Sequence, residues 1–347
     1  MAFIRTVTGD VPATEMGRTL AHEHILYSYP GAEWDHRCLF NFDEVAERIA
    51  KNIRSGFERD GFRTLVEMTG IEMGRHPPLM AEVARRSGAN VIAITGFFPA
   101  SIGMPYYWKR QTIEELKDFF IRDITEGMVF AGEQTGIRAG AIKVATGQEG
   151  LAKGSSKPRE NGLRVAEAEE RAIRAAGRAQ RELGCGINTH TDPNDYTVTN
   201  PAIEQLDLLE EEGGIASKVA FGHALIRPKG IEQLVEICER GASINIDHVG
   251  IPWKYDSADE LDDFMADEIC ELAKLGFLDN LVLSFDLWFF NPRSDVTELD
   301  PDMPNERIPL NYMFESFIPR LLKKGFPEEG IDKMLVDNPR RIFSIEG

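Results

Sequence analysis

Short apolar runs alternate with longer stretches whose apolar positions recur every three or four residues, and the alternation spans most of the chain. Eight runs stand out, at residues 19–26, 63–68, 90–95, 139–145, 186–190, 218–223, 243–248 and 281–286. All are of strand length. The third, Asn90-Val-Ile-Ala-Ile-Thr95, is apolar almost throughout, as a strand buried on both faces of a parallel sheet requires. Between the runs lie helical patterns with readable ends. Asn41 is placed to cap a helix carrying Val45, Ile49 and Ile53, and Pro77-Pro78 opens the next. Thr112-Ile-Glu-Glu115 is a capping box. A long Ala/Glu/Arg helix from about Arg164 stops at Gly184, and further helices follow Pro201 and occupy 231–240 and 259–275.

Eight strand–helix units without an interdomain linker predict an α/β fold of the (β/α)8 TIM barrel type, one domain over 1–347. Residues 327–343 read as an extra C-terminal helix that closes the barrel at its bottom or side. The competing doubly wound sheet would carry G-x-G-x-x-G after the first strand, and the chain has none there. Residues 291–309 form a long irregular stretch of the kind that acts as a lid.

Composition narrows the partners. The 39 basic and 57 acidic residues leave a formal charge of −18 with no long basic block, which argues against nucleic acid and anionic membranes and for a small-molecule substrate. No run approaches the ~20 apolar residues of a membrane span. The four cysteines, Cys38, Cys185, Cys238 and Cys270, are widely spaced and form no C-x-x-C pair, so a reduced, cytoplasmic protein is expected.

In a barrel the chemistry sits at the C-terminal ends of the strands. Those ends hold His22 and His24, Lys143, His190, His223, Asp247 with His248, and Asp286. His22 and His24 are two apart, so in a strand they share a face. Imidazoles with a carboxylate form a donor set for zinc or a similar first-row metal. His36 and His76 lie in loops and are set aside. Lys143, in Gly-Ala-Ile-Lys-Val-Ala, puts an ammonium among apolar neighbours and must be neutralised. It could serve as a Schiff-base lysine, or its neutral amine could add CO2 and become a metal-bridging carboxylate. The rim is aromatic, with Phe97, Phe98, Tyr107, Trp108, Trp253, Trp288, Phe289 and Phe290 in strand-end loops.

Taken together, Ala21-His22-Glu23-His24, Thr95-Gly96, Met104-Pro-Tyr-Tyr107, 120–127, Ile142-Lys143-Val144, Thr189-His190, Gly222-His223, Ile246-Asp247-His248, Ser284-Phe285-Asp286 and Asp337-Asn-Pro339 resemble the phosphotriesterase family of the amidohydrolase superfamily, above all its lactonases. The resemblance implies two divalent ions, with zinc first and manganese, cobalt or iron(II) as substitutes. His22, His24 and Asp286 would hold the buried ion, His190 and His223 the more exposed one, and N6-carboxylated Lys143 and a hydroxide would bridge them. Asp286 would accept the proton and pass it to His248. Two features depart from the family pattern: Phe97-Phe98 where its lactonases carry a tyrosine, and Ile226 where its phosphotriesterases extend the proton relay with an aspartate. The expected activity is hydrolysis of lactones or related carboxylic esters. The alternatives are hydrolysis of phosphotriesters or phosphorylated sugar lactones, and a non-catalytic ligand-binding barrel. Phe98, Tyr107, Trp108, Trp253, Trp288 and Arg227 are the expected substrate contacts, and the family implies a homodimer.

Overall fold

A computed structural model describes residues 1–147, 164–193, 195–197, 199–226, 228–253, 255–292 and 308–347. Eight parallel strands form one sheet: β1 (Arg18–Glu23), β2 (Phe62–Glu67), β3 (Asn90–Gly96), β4 (Ala141–Ala145), β5 (Gly186–His190), β6 (Val219–Gly222), β7 (Ser243–Ile246) and β8 (Leu281–Leu283). Each pairs with the next in chain order, the order of a (β/α)8 barrel. The sheet closes beyond the last ladder. The amide of Asp286 donates to His22 O (2.9 Å), that of His24 to Leu287 O (2.9 Å), and that of Phe289 to His24 O (2.8 Å).

The helices form the outer layer as the caps predict. In α1 (Phe42–Asp60) Asn41 accepts from the Glu44 amide. α2 (Pro77–Ser87) begins at the proline pair, with His76 as its cap, and α3 (Ile113–Thr125) carries the Thr112/Glu115 capping box. α4 (Glu167–Leu183) ends on Gly184 at φ 65°, a left-handed position suited to glycine. α5 (Pro201–Glu211), α6 (Ile231–Glu239) and α7 (Ala258–Lys274) complete the crossovers. The eighth helix, α8 (Ile318–Lys323), follows a wider turn at Met313–Phe317 that the sequence pattern did not announce.

Two layers of core follow from this arrangement. One lies between strands and helices; the other fills the barrel with Ala21, Val66, Ile92, Ile94, Ala141 and Val282. Ile4, Ile342 and Phe343 join the inner layer, so the barrel bottom is plugged from two directions. One is the unanticipated hairpin of Phe3–Thr6 and Gly9–Pro12, and the other is the expected terminal helix, built from Glu328–Asp332, Lys333–Asp337 and Asn338–Phe343. Among the described residues no helix is long and apolar enough to cross a membrane. Most of the stretch read as a lid, and most of residues 147–162, a Gly/Ser/Lys-rich stretch after β4, lie outside the described residues.

Candidate metal centre

At the open end of the barrel the strand-end residues meet. His22, His24, Lys143, His223, His248 and Asp286 are all buried, and His190 is only partly open. Ring centroids separate His22 from His24 by 5.7 Å, His22 from His223 by 5.3 Å, His190 from His223 by 4.4 Å and His223 from His248 by 5.0 Å. Lys143 Nζ lies 3.5 Å from His22 Nε2, and Asp286 Oδ1 lies 3.1 Å from His24 Nε2. Ligand atoms of His22, His223 and Asp286 approach within 4.8 Å of one another, as do those of His223, Asp247 and His248.

The local backbone explains the convergence. His223, His248 and Asp286 each follow the end of a strand at φ 66°, 64° and 61°. Such left-handed turns cost non-glycine residues on the order of 1–3 kcal/mol each and persist where the surroundings over-determine them. Here they are fixed by hydrogen bonds from their backbone amides. The His223 amide donates to Asp247 Oδ2 (3.0 Å), the His248 amide to Phe285 O (2.9 Å), and Asp286 N–H to His22 O. Gly222 makes room beneath: a Cβ there would stand 3.1 Å from His22 Cε1 and 2.8 Å from Thr189 O.

Second-layer carboxylates orient the imidazoles. Asp247 Oδ1 takes both Nδ1 atoms of His223 and His248 at 3.0 Å, leaving their Nε2 atoms for the centre. His24 Nδ1 meets Thr69 Oγ1 at 2.8 Å, and that hydroxyl is held at 2.5 Å from Glu67 Oε1. Glu23 faces the closing seam, where it accepts from Ser284 Oγ (2.7 Å), Phe285 N (2.9 Å) and Leu287 N (2.7 Å). Sequence reasoning gave Asp247 no role, and it expected the relay to end at His248; the structure sets a carboxylate behind His248, although not at Ile226, which is buried.

Electrostatics fit a cation-binding cup. Burial, reinforced by Lys143, keeps His22 well below its ordinary value, and burial also lowers His24 and His190. They are therefore neutral donors. Burial alone would raise the Asp286 carboxyl, but the neighbouring His22 and His24 hold it below its ordinary range. Burial lowers Lys143 to about 8, and no carboxylate among the described residues reaches it as an ion pair. Among the described residues His190 Nδ1 is buried without a hydrogen-bond partner. Such an orphan normally has an explanation, and a metal ion coordinated by this atom supplies one. The donor set thus fits divalent metal.

The aromatic candidates divide. Phe98 lies 4.7 Å from the His190 ring, with Lys143 Nζ 5.3 Å from its centroid. Trp253 stands 6.5 Å from His248, and Trp288 stacks at 3.7 Å on Tyr27, which meets His24 edge-on at 5.3 Å. Tyr107 and Trp108 go elsewhere. They sit on the short helix Tyr106–Lys109, where Trp108 packs on Phe119 (4.3 Å) and Phe97 (5.9 Å) and Tyr107 is largely exposed. Phe97 itself packs outward on Phe119 and Phe120. Arg227 lies outside the described residues.

A parallel eightfold barrel with a buried imidazole–carboxylate cluster at its open end defines the class of barrel hydrolases. Within that class the chain belongs to the phosphotriesterase family, whose pattern matches residues 2–343. It is 28% identical over 341 residues to an aryldialkylphosphatase of Saccharolobus solfataricus, covering 96% of this chain and 97% of the relative. An N-acetyltaurine hydrolase of Salmo salar is 24% identical, with 97% of each chain covered. Among solved structures, the organophosphorus hydrolase from Deinococcus radiodurans is similar with a TM-score of 0.80 at 26% identity, covering 98% of this chain and 96% of the other.

Proposed function

We propose that this hydrolase uses two divalent metal ions, zinc first among them, to cleave lactones or related carboxylic esters. The observation that carries the reading is the meeting of four imidazoles, Asp286 and a Lys143 with no carboxylate ion-pair partner among the described residues at one end of the barrel. His22, His24 and Asp286 would hold one ion, His190 and His223 the other. Lys143 would join them as N6-carboxylysine: the buried ammonium gives up one proton, and the free amine then adds CO2 and gives up a second, so that a carboxylate replaces a cation. When bound, the ions would supply a water of lowered pKa and polarise the substrate's carbonyl or phosphoryl oxygen.

The chain's own groups do the rest. Asp286 takes the proton from the attacking water, and the neighbouring His248 ring, with Nδ1 3.8 Å from Asp286 Oδ2, receives it next on Nε2, because Asp247 holds Nδ1–H. Asp247 stabilises the imidazolium that forms. Phe98, Trp253 and Trp288 present apolar walls to the acyl chain, and Arg227 serves an anionic substituent. The working unit is a homodimer.

Phosphotriester hydrolysis is the second reading, favoured by the names of the relatives in Saccharolobus and Deinococcus. Protein loaded with zinc and bicarbonate should be assayed on γ- and δ-lactones, aryl acetates, a dialkyl aryl phosphate and an N-acyl amide. A kcat/KM for lactone or aryl ester at least about tenfold above the others, roughly 1.4 kcal/mol of transition-state binding, supports the first reading. The reverse order selects the second, and no turnover by protein that holds both ions defeats both.

A further inference from the structure

A cavity of about 320 Å³ opens beside the barrel mouth, between the loops that follow β1 and β2 and the small hairpin of Val129–Phe130 and Glu133–Gln134. Leu26, Phe40, Ile71 and Phe130 give it apolar walls beside charged lining residues, and none of the residues of the candidate metal centre lines it. Its volume is at the lower end of the roughly 300–1,000 Å³ typical of ligand pockets.

The cavity is separate from the metal centre but close to it. Leu26 and Ser28 line it while Tyr27 between them does not; likewise Glu72 and Gly74 line it while Met73 does not. Tyr27 and Met73 pack instead with Trp288 on the side of His24. One layer of side chains therefore divides the two spaces.

The charges around the cavity do not cancel. Arg75 is committed: its Nη1 donates to Asp123 Oδ2 at 2.7 Å, and both side chains are buried. His76 is neutral, because its Nδ1 accepts from the Leu79 amide (3.1 Å) and burial lowers its pKa. Glu33 and Glu72 have no ion-pair partner among the described residues. Both line this one cavity, and burial, then the charge of Glu33, raises the Glu72 carboxyl above its ordinary value. The uncompensated charge at the mouth is thus negative. Behind it stand aromatic faces, with the His76 and Phe130 rings 4.2 Å apart and Phe40 6.2 Å from His76. Carboxylates in front of aromatic rings are complementary to an ammonium group on an apolar body.

We propose that this cavity is a second small-molecule site that takes a small organic cation, its ammonium group between Glu33 and Glu72 and its apolar body against Phe40 and Phe130. This goes beyond the hydrolytic reading and does not depend on it.

The test is calorimetric titration of the whole, metal-loaded protein with benzyltrimethylammonium, with benzoate as the anionic counterpart of similar size. Saturable binding of the cation and none of the anion is expected. Glu33→Gln and Glu72→Gln should each weaken it about tenfold, as expected for a surface ion pair lost beside low-dielectric walls. Ala32→Trp, which fills the cavity, should abolish it without changing metal content. The proposal fails if the folded protein shows no saturable binding at millimolar probe, or if these substitutions leave binding unchanged. Binding that disappears as the protein dimerises would assign the cavity to a second copy of the chain, and would equally overturn the proposal.

Discussion

Asp247 Oδ1 lies 3.0 Å from Nδ1 of His223, and the same oxygen lies 3.0 Å from Nδ1 of His248. One buried carboxylate therefore fixes the tautomer of a candidate metal donor and of a candidate proton acceptor. The two imidazoles are coupled through it. Asp247→Asn keeps the shape, but with its oxygen on the two rings its amide NH2 would oppose the His223 backbone N–H and the Asn245 amide that Oδ2 now accepts. Metal affinity should fall about 10–100-fold, as is usual when a partner of a ligating histidine is lost. Competition with a chelator measures this, and wild-type affinity in the variant would remove Asp247 from the site.

Glu23 braces the seam on which Asp286 sits. It accepts from the amides on both sides of Asp286, those of Phe285 and Leu287, and so helps to hold the left-handed turn at φ 61°. Glu23→Gln should cost about 1–3 kcal/mol of stability, because a buried donor loses its acceptor. Activity should fall beyond what the stability loss accounts for at a temperature where the variant is fully folded. A urea midpoint and kcat measured together decide it. A stability loss with unchanged kcat would make Glu23 a seam residue only.

Much of this architecture was legible in the sequence, for identifiable reasons. The eight strands are apolar runs bounded by turn residues, and Asn41, Thr112 and Gly184 mark helix ends through local chemistry that tertiary contacts do not alter. The candidate donors that the structure brings together were legible because they recur at strand ends. The turns at His223, His248 and Asp286 were not, since histidine and aspartate adopt positive φ only occasionally and these turns depend on partners distant in sequence. Asp247 was hidden for a related reason. Adjacent residues of a regular strand face opposite sides, but β7 ends at Ile246, and the following turn brings Asp247 and His248 together. The aromatic loops misdirected for Trp108, because composition shows that a ring is present and not which way it turns.

Asp286 and His248 should separate kinetically. Asp286 stands among the donors and is the proposed first proton acceptor, so Asp286→Asn should cut kcat by more than the roughly 10²–10⁴-fold of general-base catalysis alone. His248 is one step further out, with its Nδ1 3.8 Å from Asp286 Oδ2. His248→Asn should therefore cost less and leave metal content intact. Equal losses in the two variants, each with full metal content, would show that the proton does not pass in that order.

Lys143 makes the stability of the metal-free protein depend on pH in a definite direction. Burial lowers its ammonium from an ordinary 10.5 to about 8. Between those values the folded chain binds fewer protons at this site than the unfolded chain does. Stability therefore rises with pH from about 8 to 10.5 and levels off above, while below about 8 the full cost of the buried cation remains. Lys143→Met carries no titrating group and should lose this rise, which urea midpoints taken across the window would reveal. Near pH 8 about half of the chains hold the neutral amine that adds CO2. Bicarbonate-dependent uptake of the second metal should accordingly speed up as pH passes through that point. Equal slopes for wild type and Lys143→Met would mean that the ammonium is neutralised in the folded chain by another group, and the carboxylation proposal would lose its physical motive.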